Sequence, residues 1–151
     1  MGSSVRTIPQ KEITVDFSIE NVKSAILKLP KLLDSCKVIN EDHVLKIYDL
    51  QFTSFMSLGN KLSITLTELS ENKTKIIVNT TRMVGVFNEP NEVSSANTDY
   101  TKMTQALSKL LSNPNITEDE MKQYSKSKSN ANFHIVLFII FIIAMLYIFL
   151  S

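Results

Sequence analysis

From Phe133 to Leu150 the chain runs for 18 residues in which His134 is the one strongly polar side chain. A helix of that length covers about 27 Å, close to the ~30 Å hydrocarbon core of a bilayer. Its Ile, Phe, Leu and Val residues together favour the bilayer centre by roughly 4–8 kcal/mol. A buried helix that is apolar on every face needs a large protein around it, and only 132 residues precede this run. The expectation is a single transmembrane helix within residues 132–151, with 133–150 in contact with the lipid bilayer.

The flanks set its orientation. Lys122, Lys126 and Lys128 lie just before the run and no charged side chain follows it. Basic residues stay on the cytoplasmic side, so the expected arrangement is a tail anchor with the N-terminal domain in the cytoplasm. The opening "MGSSVRTIPQ" has no apolar stretch of the signal-peptide kind, and Arg6 stands where a myristoylation signal has Ser or Thr. The sequons at Asn72, Asn79 and Asn115 would matter only in a lumenal domain. Cys36 is the single cysteine, which fits a reducing compartment, and it reads as a small buried residue.

Every charged residue precedes the apolar run, so the formal net charge of +1 belongs to the rest of the chain. With no basic block and no aromatics on a basic stripe, nucleic acid is excluded as an expected partner. The same balance gives no strong attraction to anionic lipid.

Residues 1–10 read as a flexible N-terminus and 11–112 as one domain. "ITVDF" alternates Ile13, Val15 and Phe17 as a half-buried strand. Ser18 suits a helix N-cap, with Glu20 in the first turn, and Ile19, Val22, Ile26 and Leu29 make one helical face as far as Pro30. Four strands follow, with turns expected at Asn40-Glu41-Asp42, Gly59-Asn60 and Glu71-Asn72. The stretch from Val84 to Asn97 reads as a long irregular loop. A second helix, capped by Asn97 or Thr98, carries Tyr100, Met103, Leu107, Leu110 and Leu111 on one face and stops at Asn113-Pro114. Residues 113–131 form a polar linker in which Thr117 to Glu120 fits a capping box.

The predicted class is therefore α+β: an antiparallel sheet of four to five strands packed by two helices in the order β-α-β-β-β-β-α. The order resembles a half-length member of the START-like or Bet v 1-like superfamily (SRPBCC, TBP-like). The stretches "FSIENVKSAILKL", "SLGNKLSITLTELSENKTKIIVNTT" and "TDYTKMTQALSKLL" carry that resemblance. It implies a curved sheet with the last helix across it, and in longer relatives that space is a hydrophobic cavity.

No phosphate loop, nucleophile elbow or H-E-x-x-H motif occurs. His43 and His134 are far apart in the chain, and His134 suits a headgroup position. Glu41-Asp42 and Glu118-Asp119-Glu120 suit a turn and a helix start. No catalytic residue, cofactor or metal is expected. The leading expectation is a membrane-tethered adaptor without catalysis that meets a membrane-protein partner through Val84, Phe87, Asn88 and Asn91. The alternative is a lipid or hydrophobic-ligand binding domain lined by Ile26, Leu62, Ile64, Leu66, Met103 and Leu107.

Overall fold

The structure is a computed structural model that describes residues 10–54, 57–83 and 92–125. The N-terminal residues 1–9 expected to be flexible, the apolar run 133–150 expected to span a membrane, with His134, and the expected partner residues Val84, Phe87, Asn88 and Asn91 lie outside these described residues. Among the described residues no helix is long and apolar enough to cross a membrane.

Strand β1 (Lys11–Val15) leads through Ser18 into helix α1 (Ile19–Leu32). Ser18 caps as expected, its hydroxyl accepting the Asn21 amide at 3.4 Å. Pro30 lies inside the last turn, and the helix continues two residues past it to Leu32. Leu33 closes the end by donating its amide to the Leu29 carbonyl. Strands β2 (Cys36–Asp42), β3 (Ile47–Ser54), β4 (Ser57–Ser70) and β5 (Lys73–Arg82) form an antiparallel meander, and helix α2 (Glu92–Ser112) follows. The five-stranded sheet has the order β1-β5-β4-β3-β2.

Alternation sorts the strands into two faces. Tyr48, Leu50 and Phe52 on β3, Leu62, Ile64 and Leu66 on β4, and Ile76 and Val78 on β5 are buried together. Val22, Ala25, Ile26 and Leu29 of α1 are buried with Met103, Ala106, Leu107 and Leu110 of α2, and both helices pack on β4 and β5. Each large aliphatic side chain in this layer contributes about 1.5–3 kcal/mol by burial.

Three expectations are corrected. The β2–β3 turn is not at Asn40-Glu41-Asp42, which belongs to β2; it covers residues 43–46. There Asp42 Oδ1 accepts the amides of Val44 and Leu45 at 2.9 and 2.8 Å, and Lys46 takes φ 55°. A polar triplet can end a strand as readily as make a turn, so composition placed the reversal too early. Gly59-Asn60 is likewise no turn but lies within β4. The glycine sits at φ +76° in a bulge, where Leu58 and Gly59 stand opposite Thr53, between the pairs Phe52–Asn60 and Ser54–Ser57. Finally α2 begins at Glu92, so Asn97 and Thr98 are interior helix residues and not caps. The irregular stretch expected over 84–97 is therefore helical from residue 92.

The contacts divide the chain after Asn115. In the second unit, residues 118–125 are helical. The capping box forms as expected: Glu120 Oε2 accepts the Thr117 amide at 2.8 Å, and Thr117 Oγ1 accepts the Glu120 amide at 3.3 Å.

A Cβ at Gly59 would lie 1.6 Å from the Phe52 carbonyl oxygen, in a backbone region that L-residues rarely adopt. Gly59→Ala is expected to cost more than about 2 kcal/mol, read as a lowered urea midpoint. An unchanged midpoint would show that the bulge is not a fixed feature.

Candidate functional site

Sheet and α2 enclose an apolar layer, and the six residues expected to line it come together there. Ile26, Leu62, Ile64 and Met103 are fully buried, and Leu66 and Leu107 are nearly so. Ile26 comes from α1, Leu62, Ile64 and Leu66 from alternate positions of β4, and Met103 and Leu107 from successive turns of α2. They share one side of the sheet because the alternation on β4 and the helical spacing on α2 both present them inward.

One end of this layer is polar, and no local pattern of residues points to it. The Gly59 bulge sets Asn60 on the inner face, 3 % exposed, opposite Phe52, which in turn stands opposite Cys36. The Asn60 amide nitrogen donates to Asp99 Oδ2 at 2.8 Å and to Ser95 Oγ at 3.1 Å. Two directional bonds from one strand residue thus fix two successive turns of α2. Lys102 lies 3.6 Å from Asp99 Oδ1 as a further, half-exposed partner.

A second polar attachment comes from the sheet edge. Lys11 Nζ donates to Asn97 Oδ1 at 2.7 Å and stands 4.1 Å from the Tyr100 ring centroid. This is a cation–π geometry. Burial pushes the Tyr100 hydroxyl above its usual pKa. Ser95, Asn97, Asp99 and Tyr100 in the first half of α2 are therefore tied by amide, carboxylate and ammonium groups, while Ala96 in the same turns is buried. The second half of the helix is held by Met103, Ala106, Leu107 and Leu110.

Cys36 is buried and unpaired in a disulfide. Burial, and secondarily the Asp99 charge, push its thiol up to about 12. A nucleophilic cysteine needs the opposite environment. His43 stays at the exposed β2–β3 turn, 3.6 Å from Glu41. Among the described residues no three His, Cys or carboxylate groups converge as metal ligands.

Two other features stand apart. A shallow groove of about 100 Å³ lies between α1 and the end of α2, bordered by Phe17, Asn21, Ala25, Lys28, Leu111 and Pro114. The Lys28 ammonium closes its rim by donating to the Pro114 carbonyl at 3.3 Å. On the outer sheet face, Asp49 Oδ1 is buried without a hydrogen-bond partner among the described residues. Its other oxygen lies 3.5 Å from Asn40 and 3.6 Å from Lys61.

Of the residues missed in the sequence, Asn60 was hidden by its glycine neighbour, since Gly-Asn is a turn signal. Ser95 lies in the stretch 84–97, whose composition predicts a loop. Asp99 and Lys11 carry no local signal that sets them apart from other charged positions.

No family model matches the sequence, and no curated protein matches it. Likeness to solved structures is one of fold. The protein XoxI from Bacillus cereus superposes with a TM-score of 0.51 at 12% identity, over 72% of this chain and 98% of its own. An uncharacterised protein from Bacillus thuringiensis gives 0.50 at 12% identity, over 68% and 97%. A START superfamily protein from Mycobacterium smegmatis gives 0.45 at 11% identity, over 70% and 97%. The α+β architecture, with its five-stranded antiparallel sheet and helices, agrees with the β-α-β-β-β-β-α order read from the sequence. Fold alone does not carry function.

Removing the Asn60 amide leaves the Asp99 carboxylate largely buried beside Ser95. Asn60→Leu is expected to destabilise by about 1–3 kcal/mol, and Asn60→Leu with Asp99→Leu by less than the sum of the two single changes. Strict additivity in urea unfolding would show that the pair is not coupled.

The raised thiol pKa has a definite sign in stability. The folded state keeps the Cys36 proton where the unfolded chain has lost it, so this contribution is complete below pH 9 and is lost as pH rises from 9 towards 12. Native protein at pH 8 is expected to resist alkylation that the urea-unfolded chain undergoes at once. Equal alkylation rates would contradict the buried thiol.

Proposed function

We propose that this chain is a membrane-tethered binding domain without catalytic activity. Its ligand is a small, mostly apolar molecule with one hydrogen-bonding group, held between the inner sheet face and α2. The observation that carries this reading is the buried Asn60–Asp99 pair at one end of an otherwise apolar layer. Small-molecule sites combine apolar walls with a few placed polar groups that fix orientation. The START-like architecture supports the reading, since it sets a helix across a sheet.

Entry runs through the first half of α2. Lifting those turns exchanges the bonds of Asn60 and Lys11 for bonds to water and exposes the small Ala96, whereas lifting the second half would expose the larger Met103, Leu107 and Leu110. Local opening favours segments with few buried apolar contacts. Ile26, Leu62, Ile64, Leu66, Met103 and Leu107 then border the ligand, and Asn60 and Asp99 meet its polar group.

The tether is the apolar run 133–150, with the domain on the cytoplasmic side as the preceding lysines favour. The adaptor reading loses part of its basis because residues 92–97 belong to α2 and not to a free loop.

Native mass spectrometry of the full chain, purified from cells in mild detergent, tests the binding role. The expected result is close to one retained apolar molecule per chain, identified by extraction, and reduced occupancy in Asn60→Leu. A chain that carries nothing across preparations, and takes up no fluorescent fatty acid, would sink the proposal.

A further inference from the structure

Turn chemistry favours Gly, Asn and Asp at a hairpin tip, yet the β2–β3 turn carries Val44 and Leu45, 88 % and 63 % exposed. Nothing slack holds them there. Asp42 Oδ1 accepts both of their amides, and the Lys46 carbonyl accepts the Leu66 amide of β4 at 3.0 Å. Leu69, 52 % exposed, sits three residues further along β4, unpaired at the register shift between Glu68 and Ser70. Single exposed aliphatic residues are ordinary surface. Here three of the exposed large apolar residues project at one end of the sheet, two of them consecutive on a braced tip.

The first unit of the chain ends beside α1, between Phe17, just before that helix, and Lys28, near its far end. Thr74, the second residue of β5 after the turn at 71–72, donates to the Phe17 carbonyl at 2.8 Å. Phe17 borders the same groove as Leu111 and Pro114, at the end of α2.

We infer that Val44, Leu45 and Leu69 seat the domain on the surface of a zwitterionic phospholipid bilayer, inserting at the level of the headgroups. This inference rests on the tether reading. The charges beside the tips are of both signs: Glu41, Asp42, His43 and Lys46 at one, Glu68, Glu71 and Lys73 at the other. Insertion is thus by aliphatic side chains, and neither anionic lipid nor low salt is needed for it.

The test uses the full chain in phosphatidylcholine vesicles, in a Cys36→Ala background. An environment-sensitive fluorophore is placed on Val44→Cys or, at the opposite end of the sheet, on Thr81→Cys. The chain is expected to float with the vesicles. The label at position 44 is expected to shift to the blue and to be quenched several-fold by nitroxide lipids, while the label at 81 stays aqueous at all salt concentrations. Flotation with both labels aqueous would overturn the seating and leave the tether standing. Failure to float would overturn both. A blue shift at 44 that grows with protein concentration in the absence of vesicles would assign the tip to a second copy of the chain and overturn the lipid surface.

Discussion

Asn60 donates both hydrogens of its side-chain amide to α2, and the closure of the domain is organised around those two bonds. Apolar contact alone brings a helix onto a sheet but leaves it free to slide or roll by small steps of similar energy. A primary amide has two donors at a fixed angle, and Ser95 and Asp99 occupy them both. That sets the rotation of α2 and its position along β4. Met103 and Leu107 then fall over Leu62, Ile64 and Leu66 as a consequence of helical spacing.

The bulge before Asn60 is what makes this possible. Alternation on β4 places every second residue inward from Asn60 to Leu66, and the extra residue at Leu58-Gly59 sets the phase of that series. A glycine is needed because any Cβ would collide with the Phe52 carbonyl. One backbone irregularity thus decides which side of the sheet receives a buried polar group. Phe52, opposite Asn60, is paired in turn with Cys36 on the edge strand, and the Asp99 charge is felt by that thiol.

The periodic parts of the fold were legible in the residues themselves. β1, the Ser18 cap, the α1 face, the meander, the turn at 71–72 and the capping box at Thr117 follow from patterns with local causes. The turns at 40–42 and 59–60 were misplaced because their residues have two uses. Asn and Asp also end strands and cap turns from outside, and glycine also builds bulges. The start of α2 was missed for a related reason. Ser95, Asn97 and Asp99 are weak helix formers, and their place in the helix is stabilised by Asn60 and Lys11, which are distant in sequence. The six apolar residues of the candidate site could be read from period alone. Its polar end could not, since a long-range hydrogen bond leaves no mark on either partner's neighbourhood.

The two proposals use opposite ends of the sheet, and together they constrain how the molecule would work. Asn60, Cys36 and the first half of α2 lie at the end where β3 turns into β4. Val44, Leu45 and Leu69 lie at the other end, where β2 turns into β3 and β4 into β5. With the aliphatic tips in the bilayer, the opening half of α2 faces the aqueous side, and the ligand's polar group is held away from the lipid. Such a domain does not draw its ligand straight out of the adjacent leaflet. On these two proposals the ligand would enter and leave on the aqueous side, and the tether would keep that exchange at the membrane surface. A raised local concentration at that surface would then count for more than a high affinity.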